Sequence, residues 1–210
     1  MCVAGLVIAG AVFVRADEND QYWLTGTVKY KMTDHVSFKI AEQTRYKDED
    51  HTYRHTDLGL GYSLNESWTV GGAFRYVEKK NKSGAWQGCD GYLLDLVHKA
   101  KRYGVQLKSR MRLSYFDPNY NADCSTDFRP RFDLSPASGF TKWKLAPYLA
   151  DEVMFDLEEK DLYRNRVIVG LKARPVKQLS LDLFLMQECT KKNNRWAENW
   201  NSGLAATLSF

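Results

Sequence analysis

The closing stretch of the chain, NWNSGLAATLSF at residues 199–210, indicates the class of fold. From Leu204 to the final Phe210, apolar residues recur at every second position, and small or polar residues stand between them. Successive side chains of a β-strand point to opposite faces, so this period gives the strand one apolar face. Taken alone, the pattern is compatible with a membrane β-barrel and with a soluble β protein.

A strand whose apolar face ends in a C-terminal aromatic residue resembles the signal that the assembly machinery of Gram-negative outer-membrane β-barrels recognises. The usual signal has glycine where this chain has Ala205. The resemblance implies the barrel-assembly machinery and outer-membrane lipid as partners. The residues of the candidate assembly signal are Leu204, Ala206, Leu208 and Phe210.

The first residues, MCVAGLVIAGAVFV at 1–14, are apolar or small throughout. A run of this length is too short for a membrane helix, which needs roughly 20 residues, but it fits the apolar core of a signal peptide. Val14 and Ala16 form an acceptable cleavage site, although the usual basic start is missing; a buried N-terminal strand is the alternative. We therefore predict a signal peptide at 1–16, export to the outer membrane, and a single β-barrel domain at 17–210.

Composition narrows the classes of function. The 210 residues are 44% hydrophobic, and no later apolar run approaches the ~18 residues of a membrane helix. Only a closed sheet would then place this chain in a membrane. The bilayer core contains no water to bond backbone N–H and C=O groups, so all of them must be paired within the protein. The formal charge of +4 is modest and no nucleic-acid motif accompanies it, so nucleic acid is not a predicted partner.

Cysteine usage is sparse. Cys89, Cys124 and Cys189 remain after the predicted cleavage, and all three lie in or beside longer connections. A disulfide between Cys89 and Cys124 is compatible with an oxidising compartment. No C-x-x-C pair or Cys/His cluster occurs, so neither a metal site nor a cofactor is predicted.

From Gln21 to the C-terminus the chain is a series of alternating segments, of which 104–116 is the clearest. The segments run roughly ten to thirteen residues, enough to cross a bilayer at a tilt and longer than the ~5–6 residues of soluble strands. Short turns and longer polar connections largely alternate, and aromatic residues such as Tyr163 gather near segment ends. The predicted fold is all-β: a closed, antiparallel, up-and-down transmembrane β-barrel.

The number of strands is estimated from the segments. Eleven segments are recognisable, whereas bacterial single-chain barrels have an even number of strands. Either the first segment does not complete a crossing, or another strand lies within a connection such as 79–90. We predict 10–12 strands.

The alternation leaves open which face is inside. A soluble lipocalin-like barrel would put the apolar face inwards, and a membrane barrel would put the charged face inwards. The exported start, the strand length and the terminal aromatic residue favour the membrane arrangement. The basic residues that would then line the lumen are Arg45, Arg75, Lys108, Arg110, Arg112, Arg129, Arg131, Arg164, Arg166 and Lys172. The corresponding acidic residues are Asp57, Asp95, Asp133, Glu152 and Asp182.

Two functions follow from such a lumen. In one, the charges form a salt-bridged plug that only stabilises the barrel. In the other, the basic excess makes a narrow, porin-like passage that concentrates small anionic solutes.

A third class is a lipid-modifying hydrolase or acyltransferase of the outer membrane. His55 near Asp57, expected at the rim of the lumen, is the strongest candidate pair for such chemistry. No serine elbow accompanies it, so no catalytic residue is predicted and the enzyme stays an alternative.

Several short blocks also occur in a definite order, and their order is more specific than any one block. They are Trp23, EQTRY (42–46), DLGLGYSL (57–64), SWTVGGAFRY (67–76), SRMRLSYF (109–116), FRPRF (128–132), LAPYLADEVMF (145–155), RNRVIVGLK (164–172) and the closing phenylalanine. This arrangement resembles the bacterial family catalogued as domain of unknown function 2490. The resemblance implies an exported outer-membrane β-barrel, without an established activity, ligand or catalytic residue. Glu42 and Asp151 fall on the lipid side of this scheme and mark where the predicted register is weakest.

Overall fold

The computed structural model describes residues 20–81, 83–117, 126–192 and 194–210. Within these ranges the chain forms eleven β-strands, and no helix there is long and apolar enough to cross a membrane. The predicted signal peptide at 1–16 and the predicted partner Cys124 lie outside the described residues. The strands are β1 (Gln21–Lys31), β2 (Val36–Lys47), β3 (Asp50–Ser63), β4 (Trp68–Lys80), β5 (Trp86–Arg102), β6 (Val105–Phe116), β7 (Thr126–Pro136), β8 (Ala146–Asp156), β9 (Asp161–Val176), β10 (Leu179–Lys192) and β11 (Arg195–Ser209).

The strands form one closed barrel in which each strand pairs with its neighbours in sequence. These pairs are antiparallel, but β1 and β11, which close the sheet, are parallel from Gln21 opposite Asn201 to Lys29 opposite Ser209. The predicted closed barrel is confirmed, whereas the prediction of a fully antiparallel sheet is wrong at this pair. The reason is geometric: with an odd number of up-and-down strands, the first and last strands run in the same direction.

The eleven strands of the described residues lie within the predicted range of 10–12. Both explanations offered for the odd number are wrong for the part of the chain described. Strand β1 is a full strand of 11 residues. The stretch 79–90 contains no additional strand, because β4 extends to Lys80 and β5 already begins at Trp86.

The barrel has two ends, which we name after residues found there. The connections at the Phe210 end are residues 32–35, 64–67, 103–104, 137–145 and 177–178. Those at the Asp20 end are residues 48–49, 81–85, 117–125, 157–160 and 193–194. Among the connections whose residues are all described, the longest, 137–145, lies at the Phe210 end together with turns of only two residues, so no division into a short-turn end and a long-loop end appears there.

The two faces of the wall are inverted relative to a soluble barrel. On β3, the side chain of Leu58 is 45% exposed on the outer surface, whereas its neighbour Asp57 is 3% exposed and points inwards. The same alternation of outward apolar and inward polar residues continues around the sheet. A surface of this kind suits lipid rather than water, so the soluble lipocalin-like alternative is wrong and the barrel is a transmembrane one.

Two carboxylates lie on the outer wall, where the sequence register placed them. The hydroxyl of Thr56 donates a hydrogen bond to Glu42, and Nδ2 of Asn165 donates one to Oδ1 of Asp151 at 2.7 Å. Ile40 and Leu149 continue the outer wall from these carboxylates toward the Phe210 end. The predicted register therefore holds at both positions, and each carboxylate has a neighbouring donor that reduces its cost in an apolar setting.

A small apolar core fills the lumen beside the closing strands. Trp23, Tyr148, Ala150, Ile168 and Met186 are buried there, and Phe184 packs against them. The ring of Phe184 lies over Gly203 of β11: a Cβ at this position would be 2.6 Å from Cε1 of Phe184 and 2.8 Å from the carbonyl oxygen of Trp23. Both distances are too short for a methyl group, so the closing seam needs glycine here.

We predict that Gly203→Ala lowers the free energy of unfolding by about 1–3 kcal/mol, the usual cost of overpacking a tight site. Gly26→Ala on the adjacent strand is the matched control, since a Cβ there meets nothing within 4 Å. Urea unfolding of both variants in phospholipid vesicles measures the difference. Equal stability of the two variants would contradict the tight seam.

Candidate functional site: the charged lumen

The structure places the ten basic and five acidic lumen candidates on the inner face of the wall. Their positions follow from the strand register, which sets Lys108 opposite Asp133 and Lys172 opposite Asp182. The sequence did not single out Asp127, which is 1% exposed and accepts a hydrogen bond from Arg129. The alternation could have identified Asp127, because it precedes Arg129 by two residues and so lies on the same face of the strand.

At mid-height, acids and bases alternate from strand to strand. Glu152 on β8 lies opposite Arg131 on one side and Arg166 on the other, and Arg166 lies opposite Glu188. Arg166 donates from Nη1 to Oε2 of Glu152 at 3.0 Å and from Nε to Oε2 of Glu188 at 2.6 Å. Arg110 donates a further bond to the other oxygen of Glu152. Each buried carboxylate thus has a guanidinium partner in place.

The opposite side of the lumen carries two bidentate pairs. Arg75 donates to both oxygens of Asp57 at 2.6 and 2.8 Å, and Arg112 donates to both oxygens of Asp95 at 2.7 and 2.8 Å. This fork geometry is the strongest form of charge-assisted hydrogen bond between side chains. We call the whole set the ion-pair belt; it comprises Asp57, Arg75, Asp95, Arg110, Arg112, Glu152, Arg166 and Glu188.

Two pairs of arginines face each other directly across β6 and β7. Arg110 is opposite Arg131, and Arg112 is opposite Arg129. Like charges in this position repel each other, so each needs an acid from elsewhere. Nη2 of Arg131 donates a hydrogen bond of 2.7 Å to Oδ1 of Asp133, two residues along the same strand. The arginines of β6, Arg110 and Arg112, donate instead to the belt acids Glu152 and Asp95.

The belt is densely packed around Glu152 and Arg166. The side chains of Glu152 and Arg166 are 6% and 9% exposed, and Met154 beside them is wholly buried. Charges so deeply buried are tolerated because each is paired and hydrogen-bonded.

A second layer lies nearer the Asp20 end. The guanidinium of Arg45 is sandwiched between two rings, 3.8 Å from the centroid of Trp23 and 3.9 Å from that of Tyr53. Its Nε donates to the side-chain oxygen of Gln43 at 3.0 Å. The faces of aromatic rings attract cations, so this buried charge is held without a carboxylate at hydrogen-bond distance among its described contacts.

Lysines dominate the lumen at the Phe210 end. We call this region the lysine vestibule; its residues are Lys29, Lys39, Lys99, Lys101, Lys108 and Lys172. Lys29 is directly opposite Lys39, and Lys99 is directly opposite Lys108. The charges of Lys29 and Lys99 also repel each other.

Carboxylates only partly neutralise the vestibule. Within the described residues, Lys39 is the one vestibule lysine with a salt bridge, 3.9 Å from Asp57. The register sets acids opposite Lys108 and Lys172, but Lys29 and Lys99 have no acid opposite them. This arrangement costs stability and leaves an excess of positive potential at this end of the lumen.

The vestibule also has a wall of small residues. Gly59, Gly61, Gly71 and Ala73 face inwards from β3 and β4 between the lysine-bearing strands. The side chain of Lys39 runs over this wall, since a Cβ at Gly59 would lie 3.4 Å from Cε of the lysine. The Lys39 side chain therefore occupies part of the room that the small residues leave.

His55, the histidine considered for catalysis, is packed inside the barrel rather than at the rim, with 7% of its surface exposed. Its Nδ1 lies 3.1 Å from the hydroxyl of Tyr53, and its Nε2 lies 3.9 Å from Oδ1 of Asp57. Neither described contact of the ring is a serine or cysteine nucleophile. Over the described residues, no group of three or more His, Cys, Asp or Glu side chains is arranged to hold a metal ion.

Tyr163 differs from its sequence prediction. The alternation placed it on the lipid face, among the aromatic residues at strand ends. In the structure its hydroxyl donates to Oδ1 of Asp127 at 2.8 Å, inside the lumen. The pairing of β8 with β9 shifts register between Met154 and Phe155, and a strict period of two does not anticipate such a shift.

A closed sheet with lipid-facing apolar residues and an ionic interior is the architecture of an outer-membrane β-barrel. The model of the family described as "Protein of unknown function (DUF2490)" matches residues 20–199, so the chain belongs to that family. This confirms the family resemblance drawn from the sequence blocks.

Solved structures of similar shape are distant in sequence. LpxR from Salmonella typhimurium is 12% identical, with 83% of each chain covered and a TM-score of 0.49. The beta domain of the Bordetella autotransporter BrkA is 12% identical, with 84% of each chain covered and a TM-score of 0.46. A bacterial polysaccharide outer membrane secretin is 12% identical, with 80% of this chain and 73% of that chain covered and a TM-score of 0.41. No curated protein matches the chain.

We predict that Glu152→Gln lowers the free energy of unfolding by about 3–5 kcal/mol, because it leaves Arg110 and Arg166 buried without their shared carboxylate. Glu159→Gln, in the exposed β8–β9 turn, is the control and changes stability by less than about 0.5 kcal/mol. Urea unfolding in phospholipid vesicles measures both. A small effect of Glu152→Gln would show that the belt does not hold the lumen together.

Proposed function

We propose that this outer-membrane β-barrel is closed at rest and receives small anionic solutes in the lysine vestibule, with the ion-pair belt as the barrier to their passage. The observation that carries the proposal is the change of character along the lumen. Charges at mid-height are paired and buried, whereas charges at the Phe210 end are lysines that face one another. The two predicted functions, plug and anion-attracting lumen, are thereby assigned to different levels of one barrel.

Electrostatics supports this division. A cleft lined by one sign of charge and enclosed by low-dielectric walls raises the local concentration of opposite charges. Lipid-facing residues surround the vestibule, and positive charge is in excess there, because Lys29 and Lys99 have no acid opposite them. An anion would also relieve the mutual repulsion of these lysines, so its binding gains energy that the empty vestibule lacks.

The predicted location and assembly agree with this function. The outer membrane would surround the apolar wall, and the C-terminal strand would carry the assembly signal. Leu204, Leu208 and Phe210 are exposed on the outside of β11 or just beyond it, where assembly machinery could reach them before insertion.

The lipid-modifying enzyme has less support. Such chemistry would require His55 to activate a nucleophile, and its ring is instead placed against Tyr53 and Asp57. We therefore favour a barrel without catalytic activity, and we assign His55 to packing of the lumen.

We predict that the wild-type barrel gives no steady conductance in planar bilayers, because the belt fills the lumen. The triple variant Arg110→Ala, Glu152→Ala, Arg166→Ala removes side-chain volume together with both signs of charge, and it is expected to conduct. Heat-dependent mobility on gels verifies that the variant is folded. Steady conductance of the wild type, or a folded triple variant that stays silent, would contradict the belt as the barrier.

We further predict that current through the triple variant is carried mainly by anions, as measured by the reversal potential in a KCl gradient. Adding Lys29→Gln and Lys99→Gln lowers the ratio of anion to cation permeability, because these lysines have no acid opposite them. Adding Lys47→Gln and Lys160→Gln at the Asp20 end is the matched control and leaves the ratio nearly unchanged. An equal effect of the two pairs would assign selectivity to overall charge rather than to the vestibule.

A further inference from the structure

A cavity of about 560 Å³ lies in the barrel wall at the Phe210 end, beside β6, β7 and β8. Its volume falls within the roughly 300–1,000 Å³ of small-molecule sites. We call it the wall notch. Its apolar lining residues are Val105, Leu134, Pro136, Phe140, Pro147 and Leu149.

The wall notch exists because β7 and β8 separate before they end. Their last paired residues are Leu134 and Leu149, although β7 continues to Pro136 and β8 begins at Ala146. Pro136 and Pro147 lack a backbone N–H, so the ladder of hydrogen bonds cannot continue across them.

The connection between these strands forms the rim of the notch. Phe140 and Leu145 exchange two backbone hydrogen bonds of 2.7 Å, which gives the connection a structure of its own. The ring of Phe140 remains 57% exposed. The rim is therefore apolar and is separate from the ladder of the barrel.

The lining of the notch includes residues from both faces of the wall. Leu134 and Leu149 face outwards, whereas Ser135 and Tyr148, which also line the cavity, belong to the inner face. At this inner side, Nζ of Lys172 lies 4.2 Å from the centroid of the Tyr148 ring. Tyr148 thus lines the notch and also contacts a cation of the lysine vestibule.

We propose that the wall notch binds one acyl chain of an anionic glycerophospholipid from the surrounding membrane, with the phosphate group directed towards Lys172. The apolar outer opening lies on a lipid-facing wall, where acyl chains are the adjacent apolar groups. The ammonium group of Lys172, which lies against the ring of the lining residue Tyr148, complements a phosphate. The headgroup part rests on the proposed anion-accepting vestibule, whereas the acyl-chain part does not.

The headgroup decides the selectivity of this site. An acyl chain gains little by moving from the bilayer into an apolar notch, because lipid tails are as apolar as the lining. The charges that act on the phosphate are Lys172 and Lys108, opposed by Asp182 across from Lys172 and by Asp133, which Arg131 already pairs. With these contributions partly offsetting, a preference of about three- to tenfold for an anionic over a zwitterionic headgroup is expected.

The test uses the full chain in nanodiscs that contain equal amounts of phosphatidylglycerol and phosphatidylethanolamine. After mild detergent extraction, native mass spectrometry counts the phospholipids retained by each barrel. The wild type is expected to retain one, with phosphatidylglycerol preferred. Ser135→Trp, which fills the notch, abolishes retention, whereas Ser202→Trp on the far side of the barrel preserves it.

Ser138→Trp fills the notch from the β7–β8 connection rather than from a strand. This variant therefore tests lipid retention if Ser135→Trp does not fold. Retention by folded notch-filled variants at the wild-type level, or equal loss in Ser202→Trp, would overturn the site.

The charge is tested separately. Lys172→Gln is expected to keep one bound lipid but to lose the preference for phosphatidylglycerol, and Lys47→Gln at the Asp20 end retains that preference. If Lys172→Gln keeps the preference for phosphatidylglycerol, Lys172 does not contact the phosphate of the bound lipid. Lipid retention is independent of conductance, so failure of the notch and failure of the anion-accepting vestibule produce different results.

Discussion

Closure of the sheet by β1 and β11 is the contact on which the rest of this barrel depends. In a bilayer, an open strand edge would leave backbone N–H and C=O groups without partners, at several kcal/mol each. The parallel pairing from Gln21 to Lys29 with Asn201 to Ser209 satisfies this edge. Gly203 allows the seam to close, because Phe184 and the carbonyl group of Trp23 occupy the space of a side chain.

Closure of the barrel also brings inward-facing charges of the same sign close together. A narrow barrel brings many inward arginines together, and two pairs of them face each other directly. Glu152 and the bidentate acids offset this repulsion by bonding to guanidinium groups from neighbouring strands. Neutralisation is nearly complete at mid-height and incomplete at the Phe210 end. This difference along the axis separates a belt of paired charges from a vestibule with an excess of positive charge.

Much of the fold was predictable from alternation together with other features of the sequence. The period of two, which the backbone imposes locally, placed Arg166 on a charged face and Leu204 on an apolar face. The strand length, the apolar start of the chain and the terminal aromatic residue then favoured the apolar face as the outer one. Tyr163 was misplaced because a shift of register in β8 and β9 breaks the period. His55 was placed at the rim because nothing in a single strand reports how far neighbouring strands extend past it.

The sequence by itself determined that this chain forms a membrane barrel, which residues face lipid, and which charges enter the lumen. The tertiary structure alone decided the parallel closure, the partner of each charge, and the wall notch between β7 and β8. The reason is physical: the direction of a side chain is a property of its own strand. Pairing depends on the register between strands that lie far apart in the chain. Glu152 meets Arg110 across 42 residues for that reason, and not because of any local pattern.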